Sequence, residues 1–212
     1  MLDVRVVELM CSRLCHDLVS PVAAINNGVE LIQEVDEDMA EEAMALVAQS
    51  GGRAAAILRL FRLAYGAAGA QGSITLGDAK EAAAAYLAGC RLALDWRVPD
   101  AVAAAPAPLG APKVLLNLVV IASDALAYGG VLKVTCSTDD CDRRIDLVAV
   151  GRGAALPEDA QAALAGQIAP DALTPRTVQA YAAGAFARQY GLAVSHDAGT
   201  PDEVRFALTL SA

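Results

Sequence analysis

Two long apolar stripes near the N-terminus constrain the fold of this chain more than any other feature. In the first stripe, from Val4 to about Gln33, apolar residues recur every three or four positions, at Val7, Met10, Cys11, Leu14, Leu18, Pro21, Ile25, Val29 and Ile32. The second stripe runs from about Glu37 to Tyr65, at Ala43, Leu46, Val47, Ser50, Ala54, Ile57, Leu58, Phe61 and Ala64. This spacing places the apolar residues along one face of a helix. The acidic run Glu34 to Asp38 separates the stripes and is short. The two helices are therefore predicted to form an antiparallel hairpin.

The predicted hairpin cannot bury its own apolar surface. Two helices packed side by side leave much of each apolar face open to water. Pairing with a second copy would close this face in a four-helix bundle. We therefore expect a homodimer that forms through the hairpin.

Beyond the glycine-containing linker 66–72, strands and helices alternate, which predicts a second domain. The elements are predicted as strand 73–76, helix 78–88, strand 91–96, an Ala- and Pro-rich loop at 101–112, helix 112–128, strands 131–137 and 144–150, helices 157–164 and 175–190, and strands 192–196 and 203–210. This order is typical of an α/β sandwich with helices on one face of a mixed sheet. The predicted fold class is therefore α+β, with a helical hairpin domain at 1–66 and a sandwich domain at 73–212.

The charge and hydropathy of the chain argue against nucleic-acid-binding, membrane-spanning and secreted proteins. The net charge of −9 opposes binding to nucleic acid, and no apolar run is long enough to span a bilayer. The first ten residues contain Asp3, Arg5 and Glu8, so we predict no secretion signal and expect a cytoplasmic protein. Apolar residues make up 56% of the chain and aromatic residues only 4%, which indicates close packing through small side chains.

The five cysteines do not follow the spacing of a disulfide framework, which favours reduced thiols. Cys11 and Cys15 lie one helical turn apart and resemble half of a metal site together with a histidine. No second closely spaced pair completes a tetrahedral site, so no metal site is predicted.

His16 is one of only two histidines, and it falls on the outward face of the first helix. At about 100° per residue it points roughly 200° away from the apolar stripe. Arg13, Ser20 and Asn27 fall near the same face. A histidine in this position is commonly just a solvated polar residue, but Asp17 follows directly, and a neighbouring carboxylate can fix the imidazole tautomer and free the other nitrogen as a nucleophile.

Pro21 gives a second reason to single out this segment. A proline inside a helix removes a backbone hydrogen bond and costs about 3 kcal/mol. A helix kink one turn after His16 would give this proline a purpose.

The segment 14–21, Leu-Cys-His-Asp-Leu-Val-Ser-Pro, resembles the phosphoacceptor box of histidine kinases. The wider run 14–32 resembles the ChpT family of bacterial histidine phosphotransferases. This resemblance implies a dimerising hairpin followed by a domain like the ATP-binding (Bergerat) fold of histidine kinases. It also implies that His16 carries a phosphoryl group and that Asp17 orients it.

The resemblance exposes three departures from a working kinase. Ile121 stands where the kinase motif has its magnesium-binding asparagine, although Asn117 of the same motif is kept. Ala149 replaces the carboxylate that reads adenine, and the lid segment 177–184 has Gly184 as its single glycine. An isoleucine cannot bind a hard cation and a methyl group cannot accept a hydrogen bond. We therefore expect no ATP use and no cofactor on this chain.

The expected function is a histidine phosphotransferase of a two-component phosphorelay, which shuttles phosphoryl groups between receiver-domain aspartates through His16. Arg13, Ser20 and Asn27 are predicted to contact the receiver, whose own acidic pocket would supply Mg²⁺. The resemblance implies a hybrid histidine kinase upstream and response regulators like CtrA and CpdR downstream.

Two alternatives stay open at this point. One is a pseudokinase scaffold or inhibitor that docks receivers or kinases without carrying phosphate, and the other is a true autokinase with unusual ATP contacts. His196 is predicted to be structural or solvated.

Overall fold

The computed structural model describes residues 3–34, 37–67, 74–138, 142–197 and 200–211. It begins with helices α1 (Val4–Glu34) and α2 (Glu37–Ala64), which pack against each other along their length. Both helices agree with the predicted hairpin. Among the described residues, no helix is long and apolar enough to cross a membrane.

Small residues bring the two helices of the hairpin together. A Cβ placed on Gly28 would lie only 2.6 Å from Cγ2 of Val47, so glycine is required for this close approach. Pro21 is buried inside α1, and the helix continues through it. Since proline has no N–H, the backbone carbonyl of Asp17 loses its usual partner one turn earlier in the helix. The predicted kink at this point stays a prediction.

The rest of the chain forms a two-layer sandwich. Its elements are α3 (Leu76–Leu87), β1 (Leu92–Arg97), α4 (Asp100–Ala104), α5 (Ala111–Ala125), β2 (Gly130–Thr138), β3 (Asp142–Val150), α6 (Glu158–Leu164), α7 (Val178–Gln189), β4 (Ala193–Asp197) and β5 (Glu203–Ser211). A short 3₁₀ turn, Pro170–Ala172, precedes α7. The sheet has the order β1-β2-β3-β5-β4, in which β1 and β2 are parallel and the other neighbours are antiparallel. The predicted mixed sheet is confirmed.

Helix α5 is the centre of the second unit and is buried from Ala111 to Ala122. It packs on β2, β3 and β5 and touches α2, α3 and α7. Buried and exposed residues therefore alternate along β2, where Leu132 and Val134 are buried and Lys133 between them is exposed. One continuous apolar core therefore includes the sandwich and the part of the hairpin that contains Leu9 and the apolar residues of 57–64. The predicted division into domains at 66–73 stays a prediction, and residues 68–73 lie outside the described part of the chain.

One element was predicted wrongly. The predicted strand 73–76 does not form within its described residues, because Thr75 is the N-cap of α3 instead. Its hydroxyl accepts a hydrogen bond from the backbone N–H of Asp78, and the Asp78 carboxylate accepts one from the backbone N–H of Thr75. This reciprocal cap starts a helix at Leu76. The predicted loop at 101–112 begins inside the short helix α4.

The apolar stripes were predicted at the right period but with some wrong members. Val7, Val29 and Leu58 belong to the predicted stripes and are exposed in the single chain. Leu9 and Leu60, which lie off the predicted stripes, are buried because the second unit covers that side of the hairpin.

Candidate functional site

The imidazole of His16 projects from α1 into solvent, with its side chain 88% exposed. Its Nδ1 lies 3.3 Å from Oδ1 of Asp17. A carboxylate at this position keeps the proton on Nδ1, so Nε2 carries the lone pair and faces outward. The imidazole is therefore arranged as an accessible nucleophile.

A cleft of about 830 Å³ opens beside His16, between α1 and the second unit. One wall belongs to the hairpin, and the other belongs to α5, the start of α6 and the start of α7. The residues that line it are Ser12, Arg13, His16, Asp17, Ile121, Asp124, Ala125, Ala155, Leu156, Pro157, Asp159, Ala160, Pro175, Arg176, Gln179 and Ala180. The imidazole thus stands at the rim of a groove that is open to a macromolecule.

The two arginines of this cleft have different environments. Arg13 is paired with Asp124, whereas Arg176 is exposed and forms no salt bridge with another described residue. Arg176 is therefore the cation of the cleft wall that is available to an anionic partner. Arg176 could not be identified from the sequence, because nothing in the local pattern relates position 176 to His16.

Two of the three predicted partner-contact residues share the exposed face of His16. Ser20 and Asn27 are exposed, as are Val19 and Ala23. Their spacing of three to four residues extends the exposed face of His16 along α1. The result is a shallow surface of small side chains and a few polar groups. Such a surface allows another helix to approach closely.

Arg13, the third predicted contact, has a different environment. Its side chain is only 14% exposed, and its Nη2 lies 2.7 Å and 3.0 Å from the two carboxylate oxygens of Asp124 on α5. Arg13 therefore links the hairpin to the second unit and contributes to the wall of the cleft below His16. Asp124 was not identified from the sequence, because only the fold brings it to α1.

The positions that differ from a kinase are closed by apolar side chains. Ile121 on α5 is 5% exposed and lines the cleft, and Ala149 on β3 is completely buried under α5. The segment 177–184 contains the beginning of the regular helix α7. A Cβ on Gly184 would lie 2.0 Å from the carbonyl oxygen of Leu164, so this glycine allows α7 to pack against α6.

Asn117 is fully buried in a network that joins the two units. Its Nδ2 donates to the carbonyl of Ala64 at 3.0 Å and to that of Lys113 at 2.8 Å. Its Oδ1 accepts a 3.0 Å hydrogen bond from Nε2 of Gln179. The Tyr65 hydroxyl donates to Oε1 of the same glutamine, and burial raises the pKa of Tyr65 above its ordinary value.

Lys113 completes the network from the same helix. Its Nζ donates to the carbonyls of Ala64 and Gly66 and lies 4.5 Å from the centre of the Phe186 ring. These acceptors are at the C-terminal end of α2, where the helix dipole favours a cation. The polar groups of α5 thus bind the end of the hairpin.

His196 lies on strand β4 and is not among the residues that line the cleft. Its Nε2 is 3.2 Å from Oε1 of Gln161, whose Nε2 donates to the carbonyl of Leu156. This second hydrogen bond fixes the amide orientation, so His196 donates from Nε2. The prediction that His196 is structural or solvated agrees with this placement.

Comparison with known proteins gives the family. Residues 76–202 match the model of the histidine phosphotransferase C-terminal domain. Protein phosphotransferase ChpT of Brucella abortus (strain 2308) is 36% identical over 197 residues, which are 92% of this chain and 91% of that protein.

Solved structures extend the comparison to the fold. A bacterial phosphotransferase superposes with a TM-score of 0.81 at 33% identity, covering 98% of this chain and 97% of the other. The histidine kinase AdeS of Acinetobacter baumannii aligns over 92% of this chain and 97% of its own at 13% identity, with a TM-score of 0.46. Because a family model matches more than half of the chain and ChpT is similar over nearly all of it, this chain is a phosphotransferase and belongs to the histidine phosphotransferase family.

Proposed function

We propose that His16 is the residue that carries the phosphoryl group, in a relay between aspartates of receiver domains. The observation that carries this proposal is the exposed imidazole whose Nδ1 faces Asp17 at 3.3 Å, which leaves Nε2 free to attack. In the first step Nε2 attacks the phosphorus of a receiver phospho-aspartate, the P–O bond to the aspartate breaks, and the carboxylate is regenerated. In the second step the aspartate of another receiver attacks phosphohistidine, and the P–N bond breaks.

The receiver would dock on the exposed face of α1 and on the cleft beside it. Ser20 and Asn27 are available for hydrogen bonds on that face, and Arg13 and Arg176 line the cleft. Phosphoryl transfer depends mainly on in-line positioning and charge neutralisation. The Mg²⁺ that neutralises charge is expected from the acidic pocket of the receiver, so no metal or cofactor is assigned to this chain.

The proposal gives no role to ATP. Ile121 and Ala149 offer only alkyl groups at the two positions where a kinase binds magnesium and adenine, and both are nearly or fully buried. Asn117, the retained kinase residue, already has its donors and acceptor occupied by Ala64, Lys113 and Gln179. A nucleotide could bind the amide of Asn117 only by breaking the hydrogen bonds that hold the hairpin.

The chain is proposed to act as a homodimer through one side of the hairpin. Val22, Val29, Met44 and Leu58 are exposed, and each directly follows a residue that is buried, namely Pro21, Gly28, Ala43 and Ile57. One residue is about 100° of rotation, and in an antiparallel pair this rotation brings both helices to the same side. The four side chains therefore lie on one side of the hairpin and present apolar surface to a second copy of it.

Among partners, we propose the receiver domain of a hybrid histidine kinase upstream and response regulators resembling CtrA and CpdR downstream. The resemblance of residues 14–32 to the ChpT family supports this choice. The scaffold alternative is less favoured, because the relatives that match the whole chain are named phosphotransferases.

A labelling experiment tests the proposed function. The protein is incubated with labelled ATP and Mg²⁺ alone, and separately with a receiver domain that carries labelled phospho-aspartate. We expect label only in the second reaction, and only when His16 is present, so His16→Ala abolishes it while His196→Ala does not. Label from ATP alone would contradict the absence of kinase activity, and label that survives His16→Ala would contradict the proposed site.

A further inference from the structure

An ion pair ties the phosphoacceptor helix to the second unit close to His16. Both oxygens of the Asp124 carboxylate lie within hydrogen-bonding distance of Nη2 of Arg13, at 2.7 Å and 3.0 Å. Arg13 is one turn before Asp17 on α1, whereas Asp124 belongs to α5. The guanidinium is therefore held through Nη2 by a residue from outside the hairpin.

A second nitrogen of the guanidinium, Nε, faces Asp17 without bonding to it. Nε of Arg13 is 3.9 Å from Oδ2 of Asp17, which is too long for a hydrogen bond. Both atoms are buried, and neither has another hydrogen-bond partner among the described residues. Oδ1 of the same carboxylate is the atom that faces Nδ1 of His16. Four side chains thus stand in a row, in the order Asp124, Arg13, Asp17 and His16.

An arginine and a carboxylate that face each other in a desolvated place normally close into a bidentate pair. Here Nε of Arg13 and Oδ2 of Asp17 stay apart while Asp124 binds the same guanidinium through Nη2. If Arg13 closed on Asp17, both carboxylate oxygens would turn toward the guanidinium, and His16 would lose the acceptor that fixes its tautomer. The position of Asp17 therefore depends on which of two carboxylates binds Arg13.

We infer that Asp124 is a positioning residue for His16: by retaining Arg13, it keeps Asp17 directed at Nδ1 of the imidazole. The inference rests on the proposed role of His16 as phosphoacceptor. It assigns the second unit a part in setting the reactivity of a nucleophile that belongs to the hairpin. This role is separate from receiver docking and requires no nucleotide.

Phosphoramidate tests the inference without any partner protein. This small donor phosphorylates imidazole directly: Nε2 attacks phosphorus, the P–N bond of the donor breaks, and ammonia leaves. Asp124→Ala frees Arg13 to close on Asp17, so we expect labelling of His16 to slow by about tenfold, which is the order of effect of a lost orienting contact. The double variant Arg13→Met with Asp124→Ala has no competing guanidinium and should regain most of the wild-type rate.

Each outcome has a defined meaning. If Asp124→Ala labels at the wild-type rate, Asp124 does not position His16. If the double variant is as slow as Asp124→Ala, the effect does not pass through Arg13, and the inference is equally overturned. If the wild-type protein is not labelled at all, or His16→Ala is labelled equally, the proposed function itself fails, which is a different result.

Nitrogen NMR of the two histidines supplies a readout that a loss of folding would not imitate. With ¹⁵N-labelled imidazoles, His16 is expected as the Nδ1–H tautomer and His196 as the Nε2–H tautomer, because their acceptors lie on opposite nitrogens. Asp124→Ala should move the His16 signals toward a mixture and leave those of His196 unchanged. Unchanged signals of both histidines would overturn the inference. A change in both would show that the variant has unfolded, and the less disruptive Asp124→Asn is then measured instead. In that variant a change of the His16 signals alone supports the inference, and unchanged signals overturn it.

Discussion

The side-chain amide of Asn117 donates a hydrogen bond of 3.0 Å to the carbonyl of Ala64, the last residue of α2. That carbonyl is one of the four at a helix end that have no partner inside the helix. The side chain of Asn117 on α5 thus binds the C-terminal end of the hairpin. Asn117 and Lys113, both on α5, hold this end of the hairpin against the sandwich.

Asn117→Ala should lower the free energy of unfolding by about 2 to 3 kcal/mol, because the amide of Gln179 loses its acceptor in a buried site and the carbonyl of Ala64 loses a donor. Denaturant titration followed by circular dichroism measures the change. Asn26→Ala, at an exposed position of α1, is the matched control and should stay within about 0.5 kcal/mol of wild type. Equal stabilities for the two variants would show that the network contributes nothing.

Lys113 makes stability depend on pH. Burial lowers the pKa of its ammonium from 10.5 to about 8, even though the carbonyls around it favour the charge. Between these values the unfolded chain holds a proton that the folded chain has released, so the free energy of unfolding rises with pH across this window. The rise is at most about 3 kcal/mol, and Lys113→Met should abolish it.

The measurement is a series of denaturant titrations from about pH 7.5 to 9.5, with Lys133→Met as the control at an exposed lysine of β2. The upper limit avoids the buried tyrosines. Burial raises the pKa of Tyr65 and Tyr86, so their contribution to stability is present below their ordinary value of 10.0 and is lost as the pH rises above it. A wild-type slope equal to that of Lys113→Met would refute the role of Lys113.

The helices and the accessibility of His16 could be predicted from the sequence because both depend on local periodicity, and the mixed sheet could be predicted from the order of strands and helices along the chain. The hairpin followed from the spacing of apolar residues, and the exposed imidazole followed from its angle to that stripe. The N-cap at Thr75 was missed because Ile74 and Thr75 favour a strand, and the capping box with Asp78 decides against it.

Tertiary contacts of the site were beyond the sequence for a different reason. Arg13 and Asp124 are separated by more than one hundred positions, and neither lies in a motif that names the other. The same holds for Asn117 and Gln179, which meet only after α7 packs on α5. Periodicity shows on which face of its helix or strand a residue lies. Only the fold determines which distant residue that face contacts.

Gly184 is predicted to tolerate no side chain. A Cβ there would lie 2.0 Å from the backbone oxygen of Leu164, and backbone cannot move aside without separating α7 from α6. Gly184→Ala should therefore cost about 2 to 3 kcal/mol in the free energy of unfolding. Gly52→Ala is the matched control: Gly52 is an exposed position inside α2 with nothing within 4 Å, so alanine there should stabilise by about 0.5 kcal/mol. Destabilisation by both variants, or by neither, would refute the packing argument.

The proposed dimer surface can be tested at Met44, which is 63% exposed in the single chain. It shares one side of the hairpin with Val29 and Leu58, so a second copy would bury it against apolar side chains. Met44→Glu would place a charge in that surface without a partner, and a buried unpaired carboxylate costs several kcal/mol. Sedimentation at micromolar concentration should therefore find a dimer for the wild-type chain and mainly monomer for Met44→Glu.

Gln49→Glu introduces the same charge on the opposite side of α2, where the residue is exposed and the proposed surface does not reach. It should leave the dimer intact. The control therefore shows whether dissociation requires the charge to lie on the proposed surface or follows from any added charge on α2. A wild-type monomer at this concentration would remove the proposed dimer altogether. Dissociation by Gln49→Glu together with persistence in Met44→Glu would assign the interface to the other side of the hairpin, since the charge acts only where the two copies meet.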